Sequence, residues 1–251
     1  MDTVIRLFYG LAVSTPTQLG YDPSIRRVPS LSGSNMSCYH IDVRHDDRTT
    51  KTFRTDRMIS DFAADAMRGR GTRVWAVRDI TDVKGSVTQA DLDGRAVFAL
   101  KDCWVNQDRP TEGENLDSVK EGLSKLDCGK AALVKHLLTK VSDGYVFVDG
   151  VADSTFACIR RGRALDSGWT KRIVTASMKE FKPMSMSSGG VHSIPDSFEA
   201  QVPSVYDHDR CHYRIVFEEV GTPLMELRTF GEIFRCLEGG VLGMSCIVSY
   251  C

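Results

Sequence analysis

Arg95-Ala-Val-Phe-Ala-Leu-Lys101 is the stretch of sequence from which the fold can be argued. Its apolar run predicts a buried strand, and the strand ends in a cation that is costly to hold there unless an anion partners it. Glu112 follows shortly afterwards, and a glycine-bearing turn, Gly69-Arg-Gly71-Thr72-Arg-Val74, precedes the strand. One arrangement that needs such a cation is a nucleotide site, where the ammonium bridges phosphate oxygens, a helix carboxylate holds the ammonium, and a glycine turn covers the phosphates with backbone N–H groups.

Size and composition exclude several other classes of protein. The chain has 251 residues, and its hydrophobic content of 42% is ordinary for a globular protein. A formal net charge of −1 gives no general attraction to nucleic acid or to an anionic membrane. No run of sequence approaches the roughly 18 to 20 apolar residues of a membrane span. We therefore expect neither nucleic acid nor a membrane among its partners.

The eight cysteines are spread along the chain and include no Cys-x-x-Cys pair. His208, Cys211 and His212 lie close together, but they lack a fourth ligand and the usual spacing. We predict no metal site, and we expect reduced thiols in an intracellular protein, cytoplasmic or nuclear.

Further elements are predicted on both sides of the Lys101 strand. Five stretches have the character of strands: 39–43, 49–54, 74–77, 145–148 and 212–218. Three stretches favour helices: the residues after Pro110, 130–141 and 229–237. Residues 57–68 suit a helix and a strand equally well, and residues 79–95 read as a polar hairpin connection. Residues 151–210 form a long irregular insertion.

Five segments, in this order along the chain, resemble the fungal-type protein kinase family. They are Leu19-Gly-Tyr-Asp-Pro23, Gly69-Arg-Gly-Thr-Arg-Val-Trp75, Leu100-Lys-Asp-Cys-Trp104, Asp108-Arg-Pro-Thr-Glu-Gly113 and His212-Tyr-Arg-Ile-Val-Phe-Glu-Glu-Val-Gly221. The resemblance implies an ATP-dependent kinase that phosphorylates Ser and Thr hydroxyls of a protein substrate. It also implies an α+β fold, the N-lobe of a kinase, in which a twisted antiparallel sheet of about five strands carries one or two helices.

The same resemblance implies a division of the chain. Residues 1–56 would be a partly ordered N-terminal extension, and residues 57–226 would form the N-lobe and hinge, interrupted by the insertion at 151–210. Residues 227–251 would begin a helix of the C-lobe, which would otherwise be essentially absent.

The family's nucleotide-binding roles fall on particular residues. Lys101 would grip the α- and β-phosphates with Glu112 as its partner, and Glu114 is the alternative partner. The remaining implied contacts are the glycine turn with Gly69, Gly71 and Thr72, the adenine-packing residues Val74 and Ala99, the gate residue Phe217, and the backbone of Glu218 and Val220 at the adenine edge. Thr72 stands where the family's last glycine is expected.

Catalysis in the family uses a His-Arg-Asp loop, a following Asn and an Asp-Phe-Gly that carries Mg²⁺. None of these motifs follows Glu218 in the sequence. We therefore expect a catalytically incomplete fragment that has no catalytic residues and no Mg²⁺ ligands of its own. Three hypotheses remain open: an active kinase whose coding sequence was cut short, a nucleotide-binding pseudokinase or scaffold, and a product that does not fold.

Overall fold

The computed structural model describes residues 2–31, 33, 37–61, 71–125, 136–163, 209–222 and 226–248. Its main feature is a seven-stranded sheet in which neighbouring strands pair antiparallel. The strands of this sheet are β1 (Ile25–Val28), β2 (Cys38–Arg44), β3 (Thr50–Asp61), β4 (Arg73–Asp79), β5 (Phe98–Asn106), β6 (Lys140–Tyr145) and β9 (Arg210–Phe217). The other described elements are α1 (Asp2–Val13), α2 (Gln89–Leu92), α3 (Glu112–Ser124), a small hairpin of β7 (Phe147–Val148) and β8 (Val151–Ala152), a π-helical turn (Thr155–Ile159), and α4 (Phe230–Val248).

The strand order in the sheet is β1-β2-β3-β4-β5-β9-β6. The first five strands follow one another as neighbours, and the chain then passes through α3 to the far edge of the sheet. From that edge it returns as β9, which lies between β5 and β6. Lys101 on β5 is thus opposite Val74 of β4 on one side and Ile215 of β9 on the other, in the centre of the sheet.

The mixed α+β class and the antiparallel sheet agree with the prediction, but the sheet has seven strands and not about five. β1 has no counterpart among the predicted strands, whereas β2 corresponds to the strand predicted over 39–43; both lie in the region that was predicted as an N-terminal extension. The sheet is continuous across the boundary expected at residues 56 and 57, because β3 spans it. The reason is burial, since Ile41 and Val43 of β2 pack with Phe53 of β3 in the core.

Several predicted elements need correction at their ends. The Lys101 strand does not end at the lysine, since β5 continues to Asn106. Of the helix expected over 130–141, the described residues 136–139 are not α-helical and the last two residues begin β6. The strand expected at 145–148 is divided between β6 and β7. The helix α4 begins one residue after the predicted start and extends to Val248. Of the ambiguous stretch 57–68, the described part is strand up to Asp61, and the rest lies outside the described residues.

The two faces of the sheet carry separate cores. One face, here called the inner face, buries an apolar cluster to which six strands contribute: Ile41, Val43, Phe53, Trp75, Val77, Leu100, Val216 and, partly buried, Val141. The opposite face is covered by α3 and is called the α3 face; its cluster consists of Ala99, Cys103, Tyr213, Ile215 and Phe217, with Leu116 of α3 and Val220 packed against it. Because successive residues of a strand point to opposite faces, Lys101 lies on the α3 face and its neighbours on the inner face.

The sheet curls around its inner face until β6 approaches β2. The hydroxyl of Ser142 lies 2.8 Å from Nε2 of His45, directly after β2. A Cβ placed on Gly144 would lie 1.8 Å from the carbonyl oxygen of Arg44, so only glycine allows this approach of the two backbones. The approach of β6 to β2 therefore encloses the inner face on this side.

None of the helices within the described ranges combines the length and the apolar character that crossing a membrane requires.

Candidate nucleotide-binding site

An ion pair joins the centre of the sheet to the first turn of α3. Nζ of Lys101 lies 2.5 Å from Oε2 of Glu112. The two side chains are 28% and 38% exposed, so both remain within reach of a solute. The pair is thus held on folded elements and is still accessible from solvent.

The beginning of α3 decides which glutamate forms this pair. Thr111 is the N-cap, and its hydroxyl accepts the N–H of Glu114 at 3.2 Å. The Glu114 carboxylate accepts the Thr111 N–H in return, at 2.6 Å, which completes a capping box. Glu114 is therefore engaged in capping the start of the helix, and Glu112 is the acid that contacts Lys101.

A hydrogen-bonded junction fixes the same turn of α3 onto the sheet. The N–H of Gly113 donates to Oη of Tyr213 at 3.2 Å, and the Tyr213 hydroxyl donates to Oδ2 of Asp143 at 2.6 Å. A Cβ on Gly113 would lie 2.1 Å from the Asp143 oxygen and 2.6 Å from the Tyr213 hydroxyl. Burial and the bond to Asp143 raise the pKa of Tyr213, so its hydroxyl keeps its proton as a donor.

Lys140 makes a second connection between α3 and the sheet. Its ammonium lies 2.5 Å from the carboxylate of Asp117 on α3 and 3.1 Å from that of Asp143 on β6. Burial lowers the Lys140 pKa, but the bonds to Asp117 and Asp143 outweigh this effect and leave the pKa raised. The Asp143 carboxylate takes part in both connections, because it accepts from the Tyr213 hydroxyl and from the Lys140 ammonium.

The glycine turn is described only in part. Gly69 lies outside the described residues, while Gly71 and Thr72 lead into β4. Gly71 has φ of +51°, a left-handed conformation that side-chain-bearing residues rarely adopt. Three residues further on, Val74 lies opposite Lys101, so this arm of the turn ends beside the lysine.

The residues expected around an adenine ring lie on the same face of the sheet. Ala99 is opposite Phe217, both are buried, and Val220 packs against the cluster that they form. The structure therefore brings Val74, Ala99, Lys101, Glu112, Phe217 and Val220 together on the α3 face.

The segment after β9 is tied to the residue that precedes β6. The N–H of Glu218 donates to the carbonyl of Thr139 at 2.9 Å, and the Thr139 N–H donates to the Glu219 carboxylate at 2.8 Å. Burial raises the Glu219 pKa, but the bonds from Thr139 reverse this and leave it lowered. Within the described ranges no backbone group bonds to the Glu218 carbonyl or the Val220 N–H.

Sequence reasoning missed a buried charged cluster on the inner face. Oδ1 of Asp102 accepts hydrogen bonds from Nε of Arg214 at 2.9 Å and from Nε2 of His212 at 2.7 Å. Asp102 and Arg214 are each only 1% exposed. Burial would raise the Asp102 pKa, but the His212 bond and the Arg214 charge hold it well below its usual range.

Further residues complete the partners of this charged cluster. Arg73 donates to Oδ2 of Asp102 at 2.7 Å, Arg214 donates to Asp22, and the second ring nitrogen of His212 lies 3.0 Å from Asp153. Burial lowers the His212 pKa, but the bonds to Asp102 and Asp153 outweigh it, and the pKa is raised.

A signal for this cluster was present in the sequence. Asp22, Arg73, Asp102, His212 and Arg214 all belong to the five segments that carry the family resemblance. The resemblance alone did not show that these distant residues meet.

A lysine within the sheet paired with a helix glutamate, on an antiparallel sheet of this strand order, is consistent with a kinase-like α+β domain. The chain matches the family described as fungal protein kinase over residues 1–249 and belongs to that family. No curated protein and no solved structure matches it.

Proposed function

We propose that this chain binds ATP on the α3 face of its sheet, as the nucleotide-binding part of a kinase that transfers the γ-phosphoryl group to Ser or Thr hydroxyls of a protein. The observation that carries the proposal is the 2.5 Å contact between Lys101 and Glu112. In protein kinases the strand lysine and the helix glutamate must be paired for the lysine to engage the nucleotide.

The open ion pair suits a phosphate ligand. An ammonium that is held by one carboxylate and partly exposed has donors left for phosphate oxygens. Lys101 would contact the α- and β-phosphates, and Gly71 and Thr72, together with Gly69, would approach them with backbone N–H groups. Mg²⁺ would accompany the nucleotide in a complete kinase, where it neutralises the charge that develops on the phosphates.

The adenine end of the site is supported by burial and by backbone geometry. Val74 and Ala99, which share the α3 face, would pack against the ring from the side of the sheet, and Phe217 would limit the depth of the pocket. The Glu218 carbonyl would accept a hydrogen bond from the adenine edge, and the Val220 N–H would donate one to it.

We further propose that these 251 residues bind the nucleotide without completing phosphoryl transfer on their own. The support is the sequence after Phe217, in which the family's catalytic base and its Asp-Phe-Gly have no counterpart. Those groups supply nucleophile orientation and charge neutralisation, which account for most of the catalysis in this chemistry. An interaction scaffold controlled by nucleotide is the corresponding alternative function.

Nucleotide binding is tested by titrating the full chain with ATP and following heat release and the midpoint of thermal unfolding. We expect wild type to bind and Lys101→Met to lose at least about tenfold in affinity, as expected when a charge-assisted phosphate contact is removed. Lys125→Met is the matched control, because Lys125 also forms an ion pair on α3, at 2.7 Å from Glu121, but on the exposed helix surface. Absence of binding by wild type at millimolar ATP, or equal affinities for wild type and Lys101→Met, would contradict the proposal.

Transfer is tested separately, with γ-labelled ATP, Mg²⁺ and a generic Ser/Thr-rich protein substrate. We expect no label on the substrate or on the chain itself. Transfer that Lys101→Met abolishes would show that the 251 residues suffice for catalysis and would overturn the second part of the proposal.

A further inference from the structure

The first turn of α3 rests on a tyrosine that the nucleotide roles leave unexplained. Tyr213 is 1% exposed and lies on β9, between β5 and the edge strand β6, opposite Cys103 on one side and Tyr145 on the other. Its hydroxyl accepts the Gly113 N–H and donates to Asp143. Gly113 immediately follows Glu112, so this hydroxyl contacts the backbone next to the acid that holds Lys101.

We propose that Tyr213 is a positioning residue: its hydroxyl fixes the start of α3 so that Glu112 reaches Lys101 and orients it for the phosphates of ATP. This inference rests on the proposed nucleotide function.

Three observations make Tyr213 suitable for this role. It is anchored on a strand that is bonded on both sides, so its hydroxyl is a fixed point. The absence of a Cβ at Gly113 lets the helix backbone approach that point, because a methyl group there would overlap both Tyr213 and Asp143. Thr111, two residues earlier, is 2% exposed, so the turn cannot move without opening a buried cap.

The geometry of the ion pair makes it sensitive to this anchor. A charge-assisted hydrogen bond of 2.5 Å is lost when its partners separate by about 1 Å, because such bonds need short contacts. The contact from Lys140 to Asp117 holds α3 from the same end of the sheet, but it acts more than one helical turn further along. Tyr213 therefore controls the position of Glu112 more directly than any other contact described here.

A purely structural tyrosine and a positioning tyrosine make different predictions. Loss of a purely structural bond lowers the stability of the protein and changes the affinities for ATP and adenosine by the same factor. Loss of a positioning bond weakens ligands that use Lys101 and spares ligands that use only the adenine pocket. Comparison of ATP with adenosine separates the two roles, because adenosine has no phosphates.

The decisive variant is Tyr213→Phe, which keeps the ring and removes the hydroxyl. We expect about three- to tenfold weaker ATP binding, as for the loss of one hydrogen bond, and adenosine affinity within about twofold of wild type, because its contacts are untouched. Tyr145→Phe is the matched control, since the Tyr145 ring packs edge to face on Tyr213 with centroids 5.6 Å apart; it should leave both affinities unchanged. Equal losses for ATP and adenosine, or unchanged ATP affinity, would overturn the proposal.

Hydrogen exchange of the α3 amides gives a readout that does not depend on nucleotide. We expect faster exchange at residues 112–116 in Tyr213→Phe than in wild type or Tyr145→Phe. If wild type bound neither ATP nor adenosine, the proposed function would fail. The exchange data would still test whether the Tyr213 hydroxyl fixes the first turn of α3. Unchanged exchange in Tyr213→Phe would show that the Tyr213 hydroxyl does not fix the start of α3, whatever the measured ATP and adenosine affinities.

Gly113→Ala tests the same contact from the helix side. The added methyl group must displace α3 or the Asp143–Tyr213 pair, so we expect ATP affinity to fall by more than about tenfold, with adenosine affected less. ATP affinity equal to wild type in a folded Gly113→Ala protein would contradict the proposal.

Discussion

The two faces of the sheet use charge in opposite ways. On the α3 face, Lys101 and Glu112 form one short pair that is partly open to water. On the inner face, Asp102 and Arg214 are buried, and each of the three guanidinium nitrogens has a hydrogen-bond partner. The difference in exposure therefore leaves the Lys101–Glu112 pair accessible to a ligand, whereas the Asp102–Arg214 pair interacts only with the protein.

The energetic consequences of the two arrangements differ as well. An accessible ion pair contributes little to stability, because water screens it and competes for both partners. A buried charge that loses its partner is destabilising, since the remaining charge has been removed from water without compensation. Substitutions on the two faces should accordingly separate stability from ligand binding.

The largest effect is expected for Asp102→Ala. It removes the acceptor that Arg214, His212 and Arg73 share, and we expect a loss of about 3–5 kcal/mol in the free energy of unfolding, measured by urea denaturation. Asp82→Ala is the matched control, because Asp82 also pairs with an arginine but is exposed, and we expect it to unfold close to the wild-type midpoint. Equal urea midpoints for Asp102→Ala and Asp82→Ala would show that the buried charged cluster contributes no more to stability than an exposed ion pair.

If Asp102→Ala is recovered only as aggregate, Asp102→Asn provides a graded comparison. It retains one oxygen acceptor, so we expect a loss between those of the control and of Asp102→Ala.

A smaller effect, visible as a dependence on pH, is expected for His212. Burial lowers its pKa and the Arg214 charge lowers it further, but the hydrogen bonds to Asp102 and Asp153 outweigh both, so the folded pKa lies above the ordinary value of 6.5. The folded state therefore retains a proton that the unfolded state has released. The resulting stability is full below about pH 6.5 and is lost as the pH rises through the folded pKa.

Denaturation of wild type and His212→Gln between about pH 5.5 and 8.5 measures this contribution. We expect the stability difference between the two proteins to shrink as the pH rises. His40→Gln is the informative control, because burial and the Arg54 charge lower the His40 pKa, so its contribution is lost as the pH falls below 6.5. A constant difference between wild type and His212→Gln across this range would show that the ring is not charged in the cluster.

The smallest effect on stability is expected for Lys101→Met. Since Glu112 stays partly hydrated when the ammonium is removed, we expect a change below about 1 kcal/mol in the free energy of unfolding. Circular dichroism at increasing urea checks this value, and the ATP titration of the same sample checks the loss of binding. A loss as large as that of Asp102→Ala would show that the pair on the α3 face is a structural element.

The sequence predicted the part of the site whose residues lie close together along the chain. Lys101 and Glu112 are eleven residues apart, and the intervening segment carries a strand end, Pro110 and a helix start that local patterns indicate. The pairing of Lys101 with Glu112 rather than Glu114 needed the capping box, whose two bonds depend on where the helix begins.

The charged cluster could not be derived in the same way. Arg214 contacts Asp22, which is 192 residues away in the sequence. A charged residue among apolar residues of a strand would be predicted to lie at the surface. β6 was missed for a related reason, because Lys140-Val-Ser-Asp-Gly-Tyr145 is polar and lacks clear alternation, while its burial comes from β2 closing over it. Long-range contacts of this kind leave no local periodicity to detect.

The bond from the Glu218 N–H to Thr139 has a consequence for which base the site accepts. With this donor already used, the Glu218 carbonyl and the Val220 N–H, which carry no backbone hydrogen bond within the described ranges, would face the purine edge in the proposed site. That order of acceptor and donor matches the amino group and ring nitrogen of adenine, whereas guanine presents a carbonyl and an N–H in the reverse order. In the proposed site a triphosphate with the guanine base would meet two mismatched contacts, so GTP should compete poorly however well its phosphates fit.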